Sequence, residues 1–199
     1  ERKDKRMAQR YAAPFGANQG RIYKITATGD RLTTNTTDPT YATGDLISCL
    51  QSLSWDFEMI NVEQEGNDTV CDIFSKTKNL TFELGIGGLD LDLYETFLGV
   101  TATDFADGSY IDINKDDIRG EFGIIVKAIN SSGGDTHIVL FRCKAQEGPG
   151  NGFEQGSHHD ESWSGIARES YYGDGLFARV IHHTAAESVP AAWPGNAAY

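Results

Sequence analysis

The residues able to do chemistry fall in four short stretches. Asp112, Asn114 and Asp116 in DINKDD have the alternate oxygen spacing that opens a calcium loop. Such a loop needs Gly at its sixth position and a bidentate Glu at its twelfth, where this chain has Asp117 and Gly123. An EF-hand is therefore excluded. A solvated acidic loop at Asp112–Asp117 is the reading we keep, with a loose Ca²⁺ or Mg²⁺ site as the alternative. His158 and His159, beside Asp160 and Glu161, form one imidazole pair, and His182 with His183 form a second. Adjacent histidines in a strand point to opposite faces, so neither pair chelates one ion by itself. Pairing of the two segments could bring His159 near His182, but surface or subunit-contact histidines are the simpler expectation. The turn GIGG, residues 85–88, invites a phosphate-cradle reading. It lacks the Walker lysine and does not match G-x-G-x-x-G, and the helix behind it opens with Asp90 and Asp92, which repel phosphate. No G-x-S-x-G, H-E-x-x-H or catalytic-cysteine signature is present. Carboxylates in an acidic chain do not by themselves single out an acid–base pair. We expect no catalytic residue, no cofactor, no metal and a protein that is not an enzyme.

The element that must position everything else is residues 80–100, LTFELGIGGLDLDLYETFLGV. Leu80, Phe82, Leu84 and Ile86 alternate with Thr81, Glu83 and Gly85, the period of a half-buried strand. After the glycine turn the period becomes helical, with Leu89, Leu93 and Phe97 four residues apart and expected to pack into the core. Asp90 and Asp92 suit the first turn, and Gly99 suits the C-terminal cap. Strand character also marks residues 21–28, 46–62, 70–74, 121–129, 136–145, 161–169 and 175–183, with NSSGGD as a hairpin turn. Within 46–62, Leu53, Trp55, Phe57 and Met59 share one predicted buried face, and Ser52, Ser54, Asp56 and Glu58 the wet one. Trp55 and Trp163 read as core residues. Seven or eight strands and one helix without βαβ alternation predict a mainly β fold, an antiparallel β-barrel or sandwich flanked by one short α-helix, with extended terminal arms and long loops.

Composition narrows the class. At 199 residues and 39% hydrophobic, the chain can bury a core as one domain. We expect a β domain over 21–183, with arms at 1–20 and 184–199 that order on assembly. Seventeen basic against 29 acidic residues give a net charge of −12, which opposes nucleic-acid binding. No apolar run is long enough to span a membrane, and the charged opening has no apolar secretory core. Cys49, Cys71 and Cys143 sit in strand-like runs without a C-x-x-C, so a reducing site of synthesis and buried thiols are expected. Long polar loops, two arms and an acidic strand face suggest a protein that packs against copies of itself.

The run SKTKNLTFELGIGGLDLDLYETFLG, residues 75–99, resembles the major tail tube protein of long-tailed bacteriophages, whose members carry an LTFE strand, a turn and a short helix that opens with LDL and closes with LG. FGIIVKAINSSGGDTHIVLFRCKAQEG is similar to the paired strands that follow, so the likeness spans about residues 48–183. The resemblance implies a virion structural protein, assembled in the bacterial host cytoplasm. It implies hexameric rings stacked into a hollow tail tube, with the tape measure, terminator and baseplate as further partners. Viral DNA would pass only in non-specific transit along an acidic lumen, with no membrane involved. On that basis Ser52, Ser54, Asp56, Glu58 and Asp72 are expected to face the channel, and Asn61, Glu63, Glu65, Asn67 and Asp68 to form a loop touching the next ring. A tail terminator, a baseplate-hub protein or a secretion-type tube protein of the same fold is the first alternative. A receptor- or carbohydrate-binding β-sandwich at a virion tip is the second.

Overall fold

The structure, a computed structural model, describes residues 14–27, 38–66, 69–131, 133–148, 160–172 and 174–195; for 14–15, 27, 62–66 and 69–74 it describes the backbone alone. The described chain is mainly β with a single helix. In order the elements are β1 (Pro14–Ala27), β2 (Thr40–Tyr41), β3 (Asp45–Leu46), β4 (Leu50–Gly66), β5 (Thr69–Gly87), α1 (Leu91–Leu98), β6 (Thr103–Phe105), β7 (Gly108–Tyr110), β8 (Phe122–Asn130), β9 (Asp135–Glu147), β10 (Asp160–Arg168) and β11 (Ala178–His183). The main sheet runs β2-β1-β8-β9-β10-β5-β4, with β11 beside β9 and β3 beside β1; β6 and β7 form a separate hairpin. The pairings are antiparallel.

β9 organises the sheet because three strands share its edges. β8 pairs with its residues 135–143, β11 with 135–140 and β10 with 142–147. Its even-numbered apolar side chains, Ile138 and Leu140, face the main core, and Val139 and Phe141 face a second one. A strand buried on both faces reads as a continuous apolar run, which explains the unalternating FGIIV of β8 and IVLF of β9.

The main core holds Leu80, Phe82, Leu84 and Ile86 of β5, Trp163 of β10 and Phe122 of β8 beneath α1. Asp90 caps the helix by accepting the Asp92 N–H, and Gly99 closes it at φ 71°, donating its N–H to the Glu95 carbonyl. Any Cβ at Gly99 would also lie 2.5 Å from the Ile118 carbonyl oxygen, so glycine is required there twice over. Leu93 and Phe97 are fully buried, and Phe97 stacks on Trp163 at 4.4 Å between ring centroids. Leu89 differs from the sequence expectation. It precedes the first helical turn and is 48% exposed, because the cap at Asp90 starts the helix one residue too late to swing it inward.

A buried carboxylate fastens the helix to β10. Glu161 accepts from Tyr94 Oη at 2.9 Å and from Trp163 Nε1 at 3.2 Å. Tyr94→Phe leaves this carboxylate short of one donor and is expected to cost about 1–3 kcal/mol. Chemical denaturation checks this; an unchanged midpoint would show that the bond adds nothing.

Four further readings are corrected. The strand regions at 70–74 and 80–86 are one strand, β5, because the polar residues 75–79 pair with β4 where both faces of the ribbon meet water and no apolar period is needed. The predicted N-terminal arm of 1–20 overlaps β1, whose first residues pair with β8 from Pro14↔Asn130 onward; residues 1–13 lie outside the described residues. The predicted C-terminal arm of 184–199 is, over 184–195, part of the second core. There Val189 is buried and Trp193 stacks on Tyr41 at 4.1 Å, while the Gly44 N–H bonds the Ala191 carbonyl at 2.7 Å. An apolar anchor and an aromatic plate hold an extended chain without regular structure. Cys143 is buried as expected, but Cys49 is exposed on a turn at φ 51°, outside the apolar run assigned to it.

Candidate assembly surface

β4 and β5 are far longer than the body they grow from. Residues 80–86 of β5 pair with both β4 and β10, whereas 69–79 pair with β4 alone. The distal half of the hairpin is therefore a two-stranded ribbon leaving the sheet. β4 ends the sheet order, so no strand pairs with its outer edge among the described residues. A free edge of this length presents a row of backbone donors and acceptors ready for another chain.

Alternation along β4 follows the sequence expectation, but burial does not. Leu53, Trp55 and Phe57 lie opposite the buried Leu84, Phe82 and Leu80. Leu53 packs on the core, yet Trp55 is 37%, Phe57 48% and Met59 49% exposed. The β5 side chains have β10 beyond them, while those of β4 have an open edge on one side. Trp55 is thus an exposed residue and corrects the core assignment; Trp163 is fully buried. Near the base of the ribbon, a cleft of about 290 Å³ opens between Gly16 and Ala17 of β1 and Leu53 and Trp55 of β4.

The opposite face is polar. Ser52, Ser54, Asp56 and Glu58 are exposed and face Gly85, Glu83, Thr81 and Asn79 across β5. Glu58 accepts from Lys78 Nζ at 2.7 Å and Asn79 Nδ2 at 2.9 Å, and these bonds, the lysine's first, hold its carboxyl below the usual range. Ser162 Oγ donates to Glu83 at 2.6 Å, and Asp56 accepts the Phe57 N–H at 2.8 Å. The acidic character fades beyond β10. Ile166 faces Lys144, and Arg168 faces Arg142, so the β9 side of this face is cationic. Arg142 is itself held by Glu121 at 3.0 and 3.1 Å and lies over the Tyr171 ring at 3.9 Å. Burial pushes the Glu121 carboxyl up, but its bonds from Arg142 and Tyr171 outweigh that and lower it, while burial and the same Glu121 bond raise Tyr171 to about 12.

Other expected site residues fall differently. Glu63 and Glu65 belong to β4, which continues to Gly66, so the expected loop over 61–68 is mostly paired strand. Asn61 Oδ1 accepts from Ser75 Oγ at 2.7 Å. Asp72 is a β5 residue whose backbone pairs with Gln64; Asn67, Asp68, His158 and His159 lie outside the described residues. In the acidic loop, Asp117 Oδ2 accepts the Asn114 N–H at 2.6 Å and so closes a turn, while Asp112 and Asp116 are exposed. At the glycine turn, Asp45 lies near Asp90, Asp92 and Glu95. Burial and then these charges raise its carboxyl, a setting hostile to phosphate.

No protein-family model matches the chain. No curated protein matches it. Among solved structures, a chain in the cryo-EM structure of the anti-feeding prophage (AFP) baseplate, 6-fold symmetrised, is similar at 11% identity and a TM-score of 0.40, over 86% of this chain and 97% of that one.

Proposed function

We propose that this chain is a structural subunit of a phage-type tail, polymerising as stacked hexameric rings into a hollow tube through which DNA is ejected. The observation that carries the reading is the β4–β5 ribbon, with a free strand edge and Trp55, Phe57 and Met59 exposed in one row. Among the described residues of one subunit nothing pairs with the edge or covers the row, and a neighbouring copy that does both satisfies them at once. The resemblance of residues 75–99 to tail tube proteins supports the same reading, since those residues run through the ribbon's base into α1.

In the tube, Ser52, Ser54, Asp56 and Glu58 line the channel, and the ribbon tip reaches the next ring. Net charge −12 and an acidic stripe over β4 and β5 repel DNA, where a basic wall would bind it through counterion release. The subunit belongs to the virion tail and meets tape-measure, terminator and baseplate proteins; its role is architectural and not catalytic.

Negative-stain microscopy of the purified protein tests this directly. Tubes or six-fold rings with a central hole are expected, and a persistent monomer at high concentration would refute it. Low copy number in the virion would move the assignment to a terminator or hub. Reversing charge with Asp56→Lys and Glu58→Lys should leave tubes intact but slow DNA ejection several-fold; unchanged ejection would remove the channel-lining role. The exposed Trp55 favours one second reading, an aromatic platform for sugar, which binding on a glycan array would reveal.

A further inference from the structure

The second core ends in a polar cluster on β9 and β11, away from the β4–β5 ribbon. Asp135 and His137 sit two residues apart on β9 and point to the same face. His183 of β11 is the cross-strand partner of Asp135, and its ring centroid lies 4.5 Å from that of His137. Asp135 and His137 are fully buried and His183 is half-buried. One ligand atom from each of the three lies within 4.8 Å of the others, and His137 Nε2 is 3.4 Å from Asp135 Oδ1. Two ligands about 2.0–2.1 Å from one tetrahedral ion stand about 3.3 Å apart, so this edge already has the required length.

The two carboxylate oxygens of Asp135 are used differently. Oδ2 accepts from Lys127 Nζ at 2.9 Å and from the Glu187 N–H at 2.7 Å, which fixes the carboxylate plane. Oδ1 is buried and accepts no hydrogen bond among the described residues. Buried carboxylate oxygens are normally satisfied, and this one is turned toward the imidazoles. The backbone is tightly drawn around the cluster, since a Cβ on Gly134 would lie 2.0 Å from the His183 carbonyl oxygen.

We propose that Asp135, His137 and His183 bind one divalent transition-metal ion of the Zn²⁺ class. Two imidazoles and one carboxylate form a borderline nitrogen–oxygen set that suits zinc and its first-row neighbours and not Ca²⁺ or Mg²⁺, which prefer oxygen alone. Water completes the fourth position. The Lys127 ammonium, shared with the far oxygen of the same carboxylate, supports the ligand from outside and also tempers its affinity for a cation. The ion would staple the end of β11, and the segment after it that packs as Val189 and Trp193, onto β9.

Zinc titration of the chelator-stripped full chain by calorimetry tests the site. One Zn²⁺ per chain and a raised melting temperature are expected. His183→Gln removes a ligand at a half-buried position and should weaken binding by at least the roughly 10–100-fold that loss of a mere supporting partner costs. His182→Gln alters the neighbour that turns away and contacts Asn130 at 3.0 Å, and should leave zinc binding unchanged. Wild type without stoichiometric binding, or His183→Gln with wild-type affinity, would overturn the proposal. A zinc-edge anomalous map of wild-type crystals decides the matter without any variant: a peak between these three side chains supports it, and a peak elsewhere or none overturns it.

Discussion

Leu93→Asp is expected to unfold the subunit. Leu93 is 1% exposed on the inward face of an eight-residue helix, within the cluster formed by Phe97, Trp163 and Phe122. Truncating a buried leucine to alanine costs about 2–5 kcal/mol. Aspartate adds the burden of a carboxylate in an apolar site, which is of similar size or larger. Together these approach the whole stability of a domain, about 5–15 kcal/mol. Either the cooperative thermal transition disappears or the melting temperature falls by about 10 °C or more, at roughly 2–4 °C per kcal/mol for a chain of this length. Calorimetry on the purified variant is the measurement, and a folded Leu93→Asp protein melting with wild type would show that α1 is not part of the core. The effect precedes assembly, so loss of tubes in this variant alone says nothing about the interface.

The second large effect separates assembly from folding. Trp55→Glu combined with Phe57→Glu should abolish polymerisation while lowering the subunit's melting temperature far less than Leu93→Asp does. Both side chains are more than a third exposed in the subunit and lie on its end strand, so their loss removes only part of the burial that a core residue loses. In the assembly proposed above, the same two positions would lie under a neighbouring copy, where an unpaired carboxylate is strongly unfavourable. Sedimentation velocity and microscopy read the assembly state, and calorimetry reads the fold. Tubes formed normally by the double variant would remove the ribbon from the interface. A melting temperature lowered as far as that of Leu93→Asp would show that the ribbon is core.

What the sequence by itself determined is what short-range chemistry controls. The capped helix between Asp90 and Gly99, the β8–β9 hairpin around NSSGGD and the alternation of β4 are each decided by neighbours along the chain, and the structure has all three. The mainly β, antiparallel class follows from their sum. Only the tertiary structure decided which apolar faces are covered, because burial depends on what lies across the sheet. Trp55 and Trp163 sit in strands of the same alternating kind, yet one strand ends a sheet and the other lies inside it, and only the second tryptophan is buried. The same holds for residues 184–195, whose alanine- and proline-rich composition reads as an arm until Tyr23 and Tyr41 are seen to offer it a surface. It holds most clearly for Asp135, His137 and His183. Only Asp135 and His137 are close in sequence, and the donor atoms of all three meet only because β11 returns in register beside β9, which sets His183 opposite Asp135.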